Sequence, residues 1–183
     1  MSDGAGASSA QTAVGAPQAD ETAGLVAELA RRGLRLAVAE SLTGGLLAAE
    51  LIRIPGASAV VNGGIVAYAT PLKHRLLGVD AELLAAEGAV HPEVARQMAR
   101  GARAALAVDG RDAELGIATT GVAGPEPQDG RPPGTVYLGV SGPDGERAVE
   151  LRLSGDRAAI RAETVRRAVR ELHAELERES PRR

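Results

Sequence analysis

Leu34-Arg35-Leu36-Ala37-Val38-Ala39-Glu40-Ser41-Leu42-Thr43-Gly44-Gly45-Leu46-Leu47-Ala48-Ala49-Glu50-Leu51-Ile52 is the stretch that decides the fold. Residues 34–39 are apolar, alternating and short, the patterning of a strand. Residues 46–52 are rich in helix formers. Ser41 therefore sits where a strand ends and a helix begins. Backbone N–H groups there lack partners inside the helix, and the helix dipole favours negative charge. Gly44 and Gly45 let a ligand come close to the main chain. This placement suits a nucleophile whose reaction develops an oxyanion. It suits as well a hydroxyl that only caps the helix, a common use of Ser and Thr.

Outward from this stretch, strands and helices alternate. Before it, Asp20 to Arg32 places Leu25, Val26 and Leu29 on one helical face, with Gly33 as a stop. After it, Ile54-Pro55-Gly56 breaks the helix, which runs to about Arg53. Ala59 to Ala69 is β-rich, and its glycine pair Gly63-Gly64 suits a bulge or bend. Thr70-Pro71 signals a helix start with Thr70 as cap, ending at Gly78. Asp80 caps a further helix to about Glu87. His91-Pro92 opens a longer one whose Val94, Met98, Ala102 and Ala105 share a stripe. Residues 115–120 form a strand leading into Gly121-Val122-Ala123-Gly124-Pro125 and a Pro/Gly-rich loop to Pro133. Strands near 135–141 and 147–153 flank the turn Gly142-Pro143-Asp144-Gly145. A final amphipathic helix follows Gly155-Asp156, with Ile160, Val165, Val169, Leu172 and Leu176 near one face. The pattern predicts a single α/β domain over residues 20–178, a three-layer α/β/α sandwich on a mixed sheet. Residues 1–19 read as a disordered tail with little to bury, and 179–183 as a charged, frayed end.

Composition narrows the function classes. The chain has 183 residues, enough for one domain with a real core. Its 44% hydrophobic and 25% charged content is an ordinary globular balance. A formal net charge of −3 argues against nucleic acid or an anionic membrane as partner. The absence of cysteine excludes disulfides, Cys-based zinc sites and a thiol nucleophile. No apolar run approaches the ~18 residues of a membrane span, and residues 1–19 have no signal-peptide layout, so the cytoplasm is the expected compartment. His74, His91 and His173 lack metal-ligand spacing, so neither metal nor cofactor is expected. His91 reads as a helix start and His173 as a surface position.

Twenty of the basic residues are Arg and one, Lys73, is Lys. Arg-rich codon usage explains that pattern without function. Yet Arg cannot lose its proton in a protein, whereas a desolvated Lys can. Ligands in open α/β sheets bind beyond the carboxyl ends of strands, and three segments lie at such ends: Ser41–Gly45, Tyr68–Lys73 and Thr119–Gly124. Together they suggest a Ser41 nucleophile with Lys73 as base and Tyr68 relaying or positioning the proton. The plain alternatives are a half-buried strand aromatic for Tyr68 and a solvated charge for Lys73. The run 119–125 reads as a phosphate or ribose cradle through Thr120, Gly121 and Gly124, or as an ordinary glycine-rich connection.

Five motifs occur in one order: Ala39-Glu40-Ser41-x-Thr43-Gly44-Gly45, Tyr68-x4-Lys73, Thr119-Thr120-Gly121-Val122-Ala123-Gly124-Pro125, Pro133-Gly134-Thr135-Val136 and Gly155-Asp156-Arg157. In this the chain resembles the CinA C-terminal-domain family, the nicotinamide-nucleotide amidases, over about residues 20–178. It looks like the stand-alone short form, without the large N-terminal domain of full-length relatives. The resemblance implies hydrolysis of the carboxamide of nicotinamide mononucleotide to nicotinate mononucleotide and ammonia. It implies Ser41 as nucleophile, with Tyr68 and Lys73 completing the catalytic group. Substrate contacts are then expected from Thr43, Gly44, Gly45, Thr120, Gly121, Gly124 and Arg157. Many relatives have further glycines and a Lys where this chain has Glu126-Pro127 and Arg131. Two other readings stand beside the amidase: a non-catalytic nucleotide-binding or interaction module with Ser41 as a cap, and an amidase of another small carboxamide. A small-molecule nucleotide is the expected partner, and a homo-oligomer completing its site from a neighbouring copy fits a domain of this size.

Overall fold

The structure, a computed structural model, describes residues 20–178. The expectations for residues 1–19 and 179–183 lie outside the described residues. Five strands and six α-helices follow in the order α1 (Glu21–Arg32), β1 (Leu36–Glu40), α2 (Leu46–Ile52), β2 (Val61–Val66), α3 (Thr70–Leu77), α4 (Ala81–Glu87), α5 (Pro92–Ala105), β3 (Leu115–Gly121), β4 (Thr135–Gly142), β5 (Gly145–Arg152) and α6 (Arg157–Arg178). The sheet order is β2-β1-β3-β4-β5. The first three strands are parallel, and β4 and β5 return antiparallel as a hairpin. The chain is thus the predicted α/β sandwich on a mixed sheet.

Local signals set most element boundaries. The Asp20 carboxylate accepts the N–H groups of Thr22 and Ala23 and starts α1. Gly33 ends it at φ 68°, and the Leu34 N–H closes back onto the Leu29 carbonyl. That closure occupies Leu34, so β1 begins at Leu36 rather than at 34. The β-rich run 59–69 contributes strand only over 61–66, and its register on β1 skips Asn62 beside Gly63. Ala69, not Thr70, holds the cap position of α3; Thr70 and Pro71 are already in its first turn. Ala105 lies outside the buried stripe of α5, at the last and exposed residue of the helix.

Two apolar layers cover the sheet. Leu25 and Leu29 of α1, Leu47 and Leu51 of α2, and Ile160 and Leu172 of α6 pack with Leu36, Val38, Ile117 and Leu138. On the opposite face, Leu77 of α3 and Val94 and Met98 of α5 meet Ala37, Ala39 and Ala118. This second face is built from small residues. A Cβ on Gly116 would lie 2.2 Å from the Ala99 carbonyl oxygen, and one on Gly139 1.9 Å from that of Ala95. The backbone of α5 therefore rests directly on the sheet. Gly101 repeats the device between helices, since a Cβ there would lie 1.8 Å from the Leu77 carbonyl oxygen at the end of α3.

Candidate active site

Alternation along β1 decides where its last residues point. Leu36 and Val38 face the α1/α2/α6 layer, while Ala37 and Ala39 face the α3/α5 layer. Continuing the count, Glu40 turns toward α2 and Ser41 toward α3. Glu40 is fully buried, and its carboxylate accepts N–H groups from Gly45 at 2.9 Å, Leu47 at 3.1 Å and Ala48 at 2.8 Å. The cap position of α2 belongs to Gly45, which has no side chain to offer. The Glu40 carboxylate thus does for α2 what a capping hydroxyl would do, and the Ser41 side chain is left free of that duty.

The Ser41 hydroxyl meets Lys73 instead. Lys73 Nζ lies 3.0 Å from Ser41 Oγ, 2.8 Å from the Ala67 carbonyl oxygen and 3.4 Å from that of Tyr68. Lys73 is only 1% exposed, in contrast to the solvated charge that a helix Lys usually is. None of these three partners is a carboxylate. Burial lowers its pKa from 10.5 to about 8, with the charge of Asp129 holding it up in part. As an ammonium it donates to Ser41 Oγ; a neutral amine at the same contact is within reach of the Ser41 proton.

Tyr68 divides its parts between two places. Its backbone carbonyl reaches Lys73, but the residue as a whole is 60% exposed. The phenol oxygen accepts from Arg157 Nη2 at 3.2 Å, while Arg157 Nη1 donates to the Gly124 carbonyl at 3.0 Å. Arg157, the first residue of α6, therefore links the segment after β2 to the segment after β3.

Ser41, Tyr68, Thr120, Gly121, Gly124 and Arg157 line one cavity of about 270 Å³ beyond the carboxyl ends of β1, β2 and β3. A larger hollow of about 410 Å³ between α1, α2 and α6 lies away from the Ser41–Lys73 contact. Thr43, Gly44 and Gly45 do not line the 270 Å³ cavity. The Thr43 hydroxyl is buried against that of Thr119 at 2.7 Å. Gly44 and Gly45 have φ values of 60° and 98°, so the turn itself requires them. Thr120 lines the cavity while its hydroxyl donates to the Ala89 carbonyl at 2.6 Å. At Gly121 the tight neighbour is β4: an added Cβ would lie 2.6 Å from the Thr135 carbonyl oxygen.

Sequence reasoning gave no role to Glu40 or Arg161 and left the conformation of the loop after Gly124 open. In that loop Gln128 and Arg131 pair as a small hairpin, and the Asp129 carboxylate accepts the Ala89 N–H at 2.8 Å. The Asp129-Gly130 dipeptide is a hairpin signal that was available in the sequence. Glu126 and Gln128 bring two further polar side chains to the cavity wall. Among the described residues, no group of three or more His, Asp or Glu is placed to hold a metal ion, and no helix is long and apolar enough to cross a membrane.

Residues 19–176 match the family model of the CinA C-terminal domain. A CinA-like protein of Frankia casuarinae is 54% identical over 137 residues, covering 75% of this chain and 30% of that protein. A CinA-like protein of Anaeromyxobacter sp. (strain K) is 47% identical over 155 residues, 83% of this chain and 36% of that protein. The chain thus spans about a third of the length of these curated relatives. The solved structure of a competence-damaged protein (CinA) superfamily member from Klebsiella pneumoniae superposes with a TM-score of 0.80 at 35% identity, covering 86% of this chain and 96% of that one. The competence/damage inducible protein CihA from Agrobacterium tumefaciens gives 0.75 at 36% identity, with the same coverage of 86% and 96%. On the matched length and these identities, the chain belongs to the CinA C-terminal domain family.

Proposed function

We propose that this protein hydrolyses the carboxamide of nicotinamide mononucleotide, giving nicotinate mononucleotide and ammonia. The observation that carries the reading is the contact between Ser41 Oγ and the buried Lys73 Nζ at 3.0 Å, with Ser41 on the cavity wall. Neutral Lys73 takes the Ser41 proton as Oγ bonds to the amide carbon. The resulting ammonium returns that proton to the amide nitrogen, the C–N bond breaks, and ammonia leaves an acyl-enzyme. Water then attacks the ester carbon, again through Lys73, and releases the carboxylic acid and Ser41. Tyr68 completes the group from the mouth of the cavity, where its phenol and Arg157 face the nucleotide. Thr120, Gly121 and Gly124 form the wall against its ribose-phosphate. Gly44 and Gly45, and the side chain of Thr43, act at one remove, through the shape of the Ser41 turn.

The test is ammonia release from nicotinamide mononucleotide by the purified protein and two variants. Ser41→Ala is expected to fold and to show no turnover. Lys73→Arg keeps the charge but cannot give up a proton, so its activity is expected to fall about 10²–10⁴-fold, close to that of Lys73→Ala. A folded Ser41→Ala protein that still turns over would remove the nucleophile assignment. Binding of the nucleotide without ammonia release from the wild type would favour a non-catalytic nucleotide-binding module. Ammonia from another carboxamide, but not from this nucleotide, would move the substrate and leave the chemistry.

A further inference from the structure

Between Ser41 and Ala48 nearly every backbone N–H has an identified partner. Ser41 donates to the Thr119 carbonyl, Gly44 to that of Ser41 and Leu46 to that of Thr43. Gly45, Leu47 and Ala48 donate to the Glu40 carboxylate. Two are left over, Leu42 and Thr43, and among the described residues neither N–H donates to a protein acceptor. Buried N–H groups are seldom left unspent. Here two consecutive ones follow Ser41 directly, and Leu42 joins Ser41 on the cavity wall.

The direction of the Thr43 N–H is fixed from outside the turn, and that of the Leu42 N–H from within it. Arg161, one turn into α6, donates from Nε to the Leu42 carbonyl at 2.9 Å and from Nη2 to the Thr43 carbonyl at 2.8 Å. A planar guanidinium fork holds two carbonyls in one orientation, which a single ammonium does not. The peptide bonds of the turn are trans, and a trans peptide points its N–H opposite its C=O. With the Leu42 carbonyl on Arg161, the Thr43 N–H faces away from α6. With the Ser41 carbonyl on the Gly44 N–H, the Leu42 N–H faces away from the turn's interior. Half-buried Arg161 does not line the cavity and has no part in the proton transfers above.

We infer that Arg161 is a positioning residue of the Ser41 turn: by holding the Leu42 carbonyl it aims the Thr43 N–H, beside the Leu42 N–H that the Ser41–Gly44 bond orients, at the oxygen of the carbonyl that Ser41 attacks. Consecutive N–H groups of this kind make an anion-binding nest, and donors aimed at a developing oxyanion act mainly in the transition state. The inference rests on Ser41 being a nucleophile, and not on which carboxamide is cleaved.

The experiment compares wild type, Arg161→Lys and Arg161→Ala in two assays. One is turnover of nicotinamide mononucleotide. The other is the rate at which a fluorophosphonate phosphonylates Ser41, with Oγ displacing fluoride at phosphorus. Expected are a fall of about 10–100-fold in kcat with KM within about twofold, and a parallel fall in labelling rate. Methylguanidine is expected to restore part of the Arg161→Ala loss, which a packing defect would not allow. If Arg161→Ala does not fold, Arg161→Lys decides, because it keeps the charge and loses the fork. Labelling and kcat within about twofold of wild type in Arg161→Lys, or a loss confined to KM, would overturn the inference. Should the wild type release no ammonia while labelling still falls in the variants, the amidase reading fails and the role of Arg161 stands.

Discussion

Leu138 and Gly139 are neighbours on β4 and face opposite layers of the sandwich. Leu138 joins Leu, Ile and Val side chains from α1, α2 and α6. Gly139 has no side chain, and the α5 backbone occupies the space one would fill. The first face derives its stability from apolar area removed from water, in the ordinary way. The second gives up that area at Ala37, Ala39, Gly116, Ala118 and Gly139, and gains proximity. Because α5 sits on the sheet and the end of α3 sits on Gly101, the Lys73 side chain is drawn down to the strand ends. There it reaches Ser41 and loses its water. One face buries the larger apolar side chains, and the other brings Lys73 to Ser41.

The sharpest way to break this contrast adds one carbon. Gly139→Ala places a methyl group against the backbone of α5, which has no rotamer with which to yield. A loss of about 4 kcal/mol or more is expected, read from chemical denaturation or as failure to recover folded protein. Leu138→Ala removes three carbons from the other face and should cost less, about 2–5 kcal/mol by the same measurement. The folded fraction of that variant should keep the wild-type kcat. If Gly139→Ala proved milder than Leu138→Ala, the close approach of α5 would not be the constraint described here.

The smallest effect is one of pH. In the folded protein the Lys73 pKa lies at about 8, below its ordinary 10.5. Below about 8 the residue is protonated in folded and unfolded states alike, and its burial penalty is felt in full. Between the two values the unfolded chain binds the more protons, so stability rises with pH. The gain attributable to Lys73 is expected to be about 1–3 kcal/mol, present in wild type and missing from Lys73→Met. Over the lower part of the same window kcat/KM should climb as Lys73 turns from acid to base. A flat profile from pH 7 to 9 would detach Lys73 from the reaction.

Much of the fold was legible because its signals are local. Asp20 and Asp80 as caps, Gly33 and Gly78 as stops, and His91-Pro92 as a start need only a few neighbours to act. The candidate site was legible in part, through the rarity of Lys and the position of Ser41. What stayed hidden depends on partners distant in sequence. Glu40 reads as the end of a strand until the turn folds back to bring three N–H groups to its carboxylate. Gly121 lines the cavity, but that β4 packs against it as well is visible only once the sheet is formed. Arg161 is one of twenty arginines in the sequence, and nothing nearby marks it out.

The dependence of the Ser41 turn on α6 carries over to the order in which the chain is made. Ser41, Tyr68 and Lys73 are all synthesised before β3, β4, β5 and α6. Arg157 and Arg161 come with α6, separated from their partners by 89 residues at Tyr68 and by 119 and 118 at Leu42 and Thr43. Contacts so far apart in sequence form late, after the loop-closure entropy of the intervening chain has been overcome. A growing chain thus carries its hydroxyl and its lysine well before the arginine fork that holds the turn has been made.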